Sequence, residues 1–110
     1  MSNDSLKTLS DQITAAHARI QHAHSDLNPV VGLRRGMREK GIPADALTID
    51  CLRSGKRIVL ILHDQQPSVL IYQFTLIEAD TDAPYQQQEL ASINVDTLFA
   101  WMRDYFLADT

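Results

Sequence analysis

The sequence predicts an α+β domain: a three- or four-stranded antiparallel meander sheet packed with a long N-terminal helix, a short basic helix and a C-terminal helix. Three observations carry that expectation. Two β-branched and aromatic runs, Arg57 to His63 and Val69 to Ile77, flank a polar break with a proline, Asp64-Gln65-Gln66-Pro67, which reads as a hairpin. Before them, apolar residues recur at helical spacing from Leu6 to Leu27. After them, Asn94 opens a third periodic stretch that ends near Phe106.

A chain of 110 residues, 45% hydrophobic and 22% charged, has the composition of one globular domain, here 1–110. Its longest apolar run, Ile58 to Leu62, is far short of the roughly 20 residues a membrane helix needs, so no membrane partner is expected. The polar start Met-Ser-Asn-Asp-Ser lacks the basic and apolar regions of a signal peptide. The single cysteine, Cys51, permits no internal disulfide and fits a reducing compartment, so a cytoplasmic protein is expected.

In the first helix the apolar positions are Leu6, Leu9, Ile13, Ala16, Ile20, Ala23 and Leu27, spaced alternately three and four apart. That is a narrow seam along a rod of about 22 residues, roughly 33 Å long. Two alanines in the seam bury little. The helix is therefore expected to lie on the sheet, with pairing to a twin at a dimer interface as the alternative.

Asn28-Pro29 restarts a helix, and Gly41 with Pro43 ends it. A short basic helix over 29–40 follows, with Val30, Leu33 and Met37 on one stripe. Gly32 and Gly36 weaken it by about 1 kcal/mol each relative to alanine. Leu47, Ile49 and Cys51 then alternate with polar residues, as one face of a strand, and Ser54-Gly55 offers a two-residue turn into the next strand. There Ile58, Leu60 and Leu62 point one way and Val59 and Ile61 the other. Two apolar faces predict a central strand covered on both sides.

The following strand places Leu70, Tyr72, Phe74 and Leu76 against the core. Its other face, with Val69, Ile71 and Gln73, is mixed and is the candidate interface for a partner or a second protomer. Tyr85 to Ile93 offers a polar edge strand. The last helix carries Val95, Leu98, Phe99, Met102 and Phe106 on one stripe, flanked by Trp101 and Tyr105 four apart.

Net charge is −4 and uneven: residues 1–33 sum to −1, 34–57 to +4 and 58–110 to −7. The basic stretch holds the candidate anion- or partner-binding residues, Arg34, Arg35 and Arg38 near the short helix and Arg53, Lys56 and Arg57 at the first hairpin. On a helix, Arg34, Arg35 and Arg38 would turn three guanidiniums toward one anion, and their fork geometry suits phosphate or carboxylate. Against nucleic acid stands the pI near 5.4.

Other chemistry is not indicated. His17 and His24 share a helix face but lie about 10.5 Å apart along the axis, too far for one ion. Cys51 shares a strand face with Leu47 and Ile49, the setting of an inert thiol. Glu78, Asp80 and Asp82, continued to Gln86 and Glu89, match a calcium loop in part, but Ala83 stands where the turn needs glycine. No catalytic residue, metal site or cofactor is called for. The expectation is a small cytoplasmic protein-interaction module, an adaptor or regulator, non-enzymatic and homodimeric. A nucleic-acid or anion-binding regulator using the basic helix 29–40 is the alternative, and an enzyme with a scattered site the third.

Overall fold

A computed structural model describes residues 2–78 and 85–108. A helix α1 (Ser2–Ala23) leads into strands β1 (Val30–Arg34), β2 (Ala44–Cys51), β3 (Lys56–His63), β4 (Val69–Leu76) and β5 (Gln86–Glu89), with a one-turn helix α2 (Gly36–Glu39) between β1 and β2. A 3-10 turn at Leu90–Ser92 then precedes helix α3 (Val95–Phe106). The five strands lie in chain order, every neighbouring pair antiparallel. The α+β meander with terminal helices is as the residue pattern predicts, with five strands rather than three or four. Among the described residues, no helix is long and apolar enough to cross a membrane.

The core lies between one face of the sheet and α1 with α3. Leu9, Ile13, Ala16 and Ile20 of the predicted seam are at most 1% exposed, and they share a cluster with Leu47, Ile49, Cys51, Ile58, Leu60, Leu70, Leu98, Met102 and Phe106. The seam helix lies on the sheet. It ends four residues before Leu27, whose side chain is nevertheless buried beyond the helix. Asn94 caps α3 as expected, accepting from the Thr97 N–H at 2.9 Å. Trp101 stacks on Tyr72 at 4.5 Å between centroids and meets Phe74 edge-on at 5.7 Å, which seats α3 on β4. Arg19 of α1 lies over the Phe99 ring and pairs with Asp96, joining the two helices.

Three local expectations are corrected. Residues 29–40 are not one helix. Val30–Arg34 is an edge strand in register with β2, Val31 opposite Ile49 and Leu33 opposite Leu47, and only Gly36–Glu39 is helical. Two glycines and adjacent β-branched valines made a helix there costly, and pairing with β2 satisfies the backbone instead. The connection from β2 to β3 spans 52–55 rather than two residues, with Gly55 at φ 75° and its N–H bonded to the Cys51 carbonyl at 2.8 Å. The polar edge strand is confined to Gln86–Glu89.

The fourth correction concerns β3. It is central, but among the described residues helices cover one side of it only. Ile58 and Leu60 are fully buried beneath the helices, whereas Val59 and Ile61 are partly exposed. Every strand residue in the core cluster or packed against it belongs to the helix-covered face. On the opposite face the described residues supply no helical layer.

Candidate interaction surfaces

The six candidate cations fall into two groups at opposite ends of β2, an eight-residue strand of roughly 25 Å. At one end, Arg38 on α2 binds two carboxylates. Its Nε and Nη2 donate to Asp45 at 2.7 and 2.9 Å, and its Nη1 and Nη2 donate to Asp64 at 3.0 and 2.9 Å. Arg35 stands 3.7 Å from the same Asp45. The anion that Arg35 and Arg38 face is thus a carboxylate of their own chain, held at the start of β2 with only 5% of Asp45 exposed. Hydrogen bonding from Arg38 holds the Asp64 carboxyl below its ordinary range and pushes the Arg38 guanidinium above its own. Arg34 projects from β1, exposed and without an ionic or hydrogen-bonding partner among the described residues.

At the other end the cations are separately engaged. Arg57 pairs with Asp50 directly across the hairpin, through bonds of 2.7 and 2.9 Å, and this raises the Arg57 guanidinium. Arg53 pairs with Asp26, whose carboxyl is lowered by that hydrogen bond. Lys56 is 8% exposed and points to the helix side, where its Nζ donates to the carbonyls of Tyr105 and Ala108 at 2.9 and 3.0 Å. It acts as a cationic cap on the C-terminal end of α3. The structure therefore does not gather the cations onto one basic surface. Sequence reasoning missed their partners Asp26, Asp45, Asp50 and Asp64. For Asp50 a signal existed: a 52–55 loop places residue 50 opposite residue 57.

The uncovered sheet face is built from alternate residues of the strands. Val59 and Ile61 on β3 stand beside Gln73 and Ile71 on β4, with Thr48 and Ala46 on the β2 side. Val69 lies beyond, opposite Glu89 of β5. Of the three candidate interface residues, Val69 and Ile71 are partly exposed, while Gln73 is 6% exposed. The centre of the face is partly exposed and aliphatic, formed by Val59, Ile61 and Ile71 with Val69 at its β5 end. The Asp50–Arg57 pair closes one end of it.

No group of three metal-ligating side chains converges among the described residues. His17 Nε2 lies 2.6 Å from the Pro29 carbonyl, a contact in which the ring nitrogen donates, and His63 Nδ1 accepts from the Gln65 N–H at 3.1 Å. Cys51 is buried as expected, and the hollow of about 270 Å³ that it lines contains no histidine. A wider groove of about 820 Å³ runs between the first turns of α1 and the β4–β5 side, lined by Ser5, Thr8, Gln12, Ser68, Glu89 and Leu90 among others. Among the described residues, no hydroxyl of its lining is hydrogen-bonded to Glu89. Of the carboxylates weighed for calcium, Glu78 is exposed, and Asp80 and Asp82 lie outside the described residues.

No family model matches the chain, and neither a curated protein nor a solved structure matches it.

Proposed function

We propose that this chain is a small cytoplasmic protein-interaction module, an adaptor or regulator, which works as a homodimer and binds a protein partner on the open face of its sheet. One observation carries the reading. The central strand β3 is apolar on both sides, and α1 with α3 occupies only one of them. Contiguous aliphatic surface left outside the core of a small domain favours a protein contact over a solvated face. The Asp50–Arg57 pair at its rim supplies orientation more than affinity.

The anion-binding reading has weaker support. Its cations are divided between two ends of the sheet, and Arg35, Arg38, Arg53, Lys56 and Arg57 each already face a carboxylate or a helix terminus. A phosphate would have to displace Asp45 and Asp64 from Arg38.

Site-specific photocrosslinking in cells tests the proposal. A crosslinking residue at Ile71 is expected to give a discrete adduct that Ile61→Glu removes. The same residue at Thr14, on the outer surface of α1, should give none. Equal labelling from both positions would defeat the open-face assignment.

A further inference from the structure

The two edges of the sheet are protected very differently. β5 is four residues long and presents Gln86, Gln87, Gln88 and Glu89. Short, polar edges of this kind discourage pairing with another strand. β1 presents Val30, Val31 and Leu33 at 50%, 40% and 49% exposure, around a glycine, and no strand among the described residues pairs with its outer edge. Its only charge is Arg34, at the last position. An apolar, unpaired edge of this type is a template for strand addition.

We infer that β1 pairs with β1 of a second copy of this chain, antiparallel about a two-fold axis through Gly32, joining two five-stranded sheets into one continuous sheet. The inference rests on the homodimer reading above and assigns the surface that makes it. Three features select a second copy over another partner. The strand is self-complementary: a two-fold at Gly32 sets Val31 opposite Leu33 of the second copy and Leu33 opposite its Val31, as an isologous contact requires. Those four side chains share the face that carries α1, because Val31 and Leu33 are in register with the core residues Ile49 and Leu47.

The second feature is α1 itself. The His17 ring against the Pro29 carbonyl, and the Gln21 amide on Asn28 Oδ1 at 2.9 Å, hold that helix alongside the entry to β1. In the two-fold arrangement an α1 flanks the aliphatic quartet on either side. A lone extended peptide would satisfy the backbone but bring no second helix. Third, the opposite face places Arg34 beside Val30 of the second copy, next to its Asp50. The arginine stem covers the exposed valine, and its charge, without a partner among the described residues, comes near a carboxylate. Parallel pairing would instead bring the two Arg34 ends together.

A seam of five residues per chain is small beside the roughly 800 Å² per partner of a standard stable interface, so the dimer should dissociate reversibly at micromolar concentration. Sedimentation velocity from about 1 to about 200 µM tests this. The wild-type chain is expected to shift from monomer to dimer, and a Val31→Lys/Leu33→Lys chain with unchanged circular dichroism to stay monomeric throughout. Register is read by mixing Val31→Cys and Leu33→Cys chains under mild oxidation: the mixture forms a disulfide-linked dimer and neither chain alone does. The cysteine mixture also decides the matter if the lysine variant fails to fold. A dimer that survives both lysines, or no crosslink in the mixture, overturns the β1 seam and leaves the homodimer reading standing. A monomer up to the highest concentration overturns both, while binding through the open face is judged separately by its crosslinks.

Discussion

Leu60 and Ile61 are neighbours on one strand, similar in size and chemistry, yet Leu60 is fully buried under α1 and α3 while Ile61 looks out from the other face. What separates them is not hydrophobicity but the supply of covering elements. Two long helices can shield one face of a five-stranded sheet, and both went to the same face. The covered face is sealed by apolar packing, and its charged residues are engaged within the chain: Lys56 donates to backbone carbonyls and lies over the Tyr105 ring, and Asp45 accepts from Arg38. The open face keeps an aliphatic centre with polar and charged neighbours on its flanks. One side specifies the fold, and the other is the face we propose for a partner.

Truncation should expose that difference in order of size. Leu60→Ala leaves a cavity under the helices and is expected to lower stability by about 3 kcal/mol in urea unfolding. Arg57→Ala on the open face strips the partner from Asp50, itself 9% exposed, and should cost about 2 kcal/mol, with Arg57→Lys recovering part of it. Ile61→Ala removes only partly buried surface and should cost about 1 kcal/mol or less, while disabling the Ile71 crosslink. If Ile61→Ala proved as damaging as Leu60→Ala, something in the chain would have to cover the open face.

The covered side also has a signature in alkali. Burial pushes the Tyr105 phenol above its ordinary value of 10, and its hydroxyl donates to the Thr75 carbonyl at 2.7 Å. Below that ordinary value the phenol is neutral in folded and unfolded chains alike, so its contribution is fully present. As pH rises above 10 the unfolded chain ionises first, and stability falls until the folded phenol ionises too. Near-ultraviolet titration should show a late phase from Tyr105, and Tyr105→Phe should remove it. A smaller effect appears in acid. The lowered Asp64 carboxyl contributes stability above about pH 4, and that contribution is lost as pH falls through its folded value. Asp64→Asn should flatten that part of the acid-unfolding profile.

The parts of the fold legible in the residues are those fixed by local periodicity. The α1 seam, the β3–β4 hairpin and the Asn94 cap each have a signal within a few residues of where they act. β1 was not legible, because Asn28-Pro29 opens a strand as readily as a helix and the choice rests on the distant partners Ile49 and Leu47. The open face was misread for a related reason. Val59 and Ile61 imply a cover, but no local pattern tells whether that cover belongs to the same chain. The basic residues were visible as a run, whereas their neutralisation by Asp45 and Asp64 depends on how α2 and the end of β3 meet. Pairing at a distance, not residue type, was the missing information.

The packing of α1 along α3 also orders events during synthesis. Leu9, Ile13 and Ile20 leave the ribosome well before Leu98, Met102 and Phe106, which complete their burial. The meander joins strands adjacent in the chain and can assemble by short loop closures while α1 still lacks one of its seats. Until α3 arrives, the nascent chain carries a sticky amphipathic helix, and it is in this interval that a holdase chaperone would find most to bind.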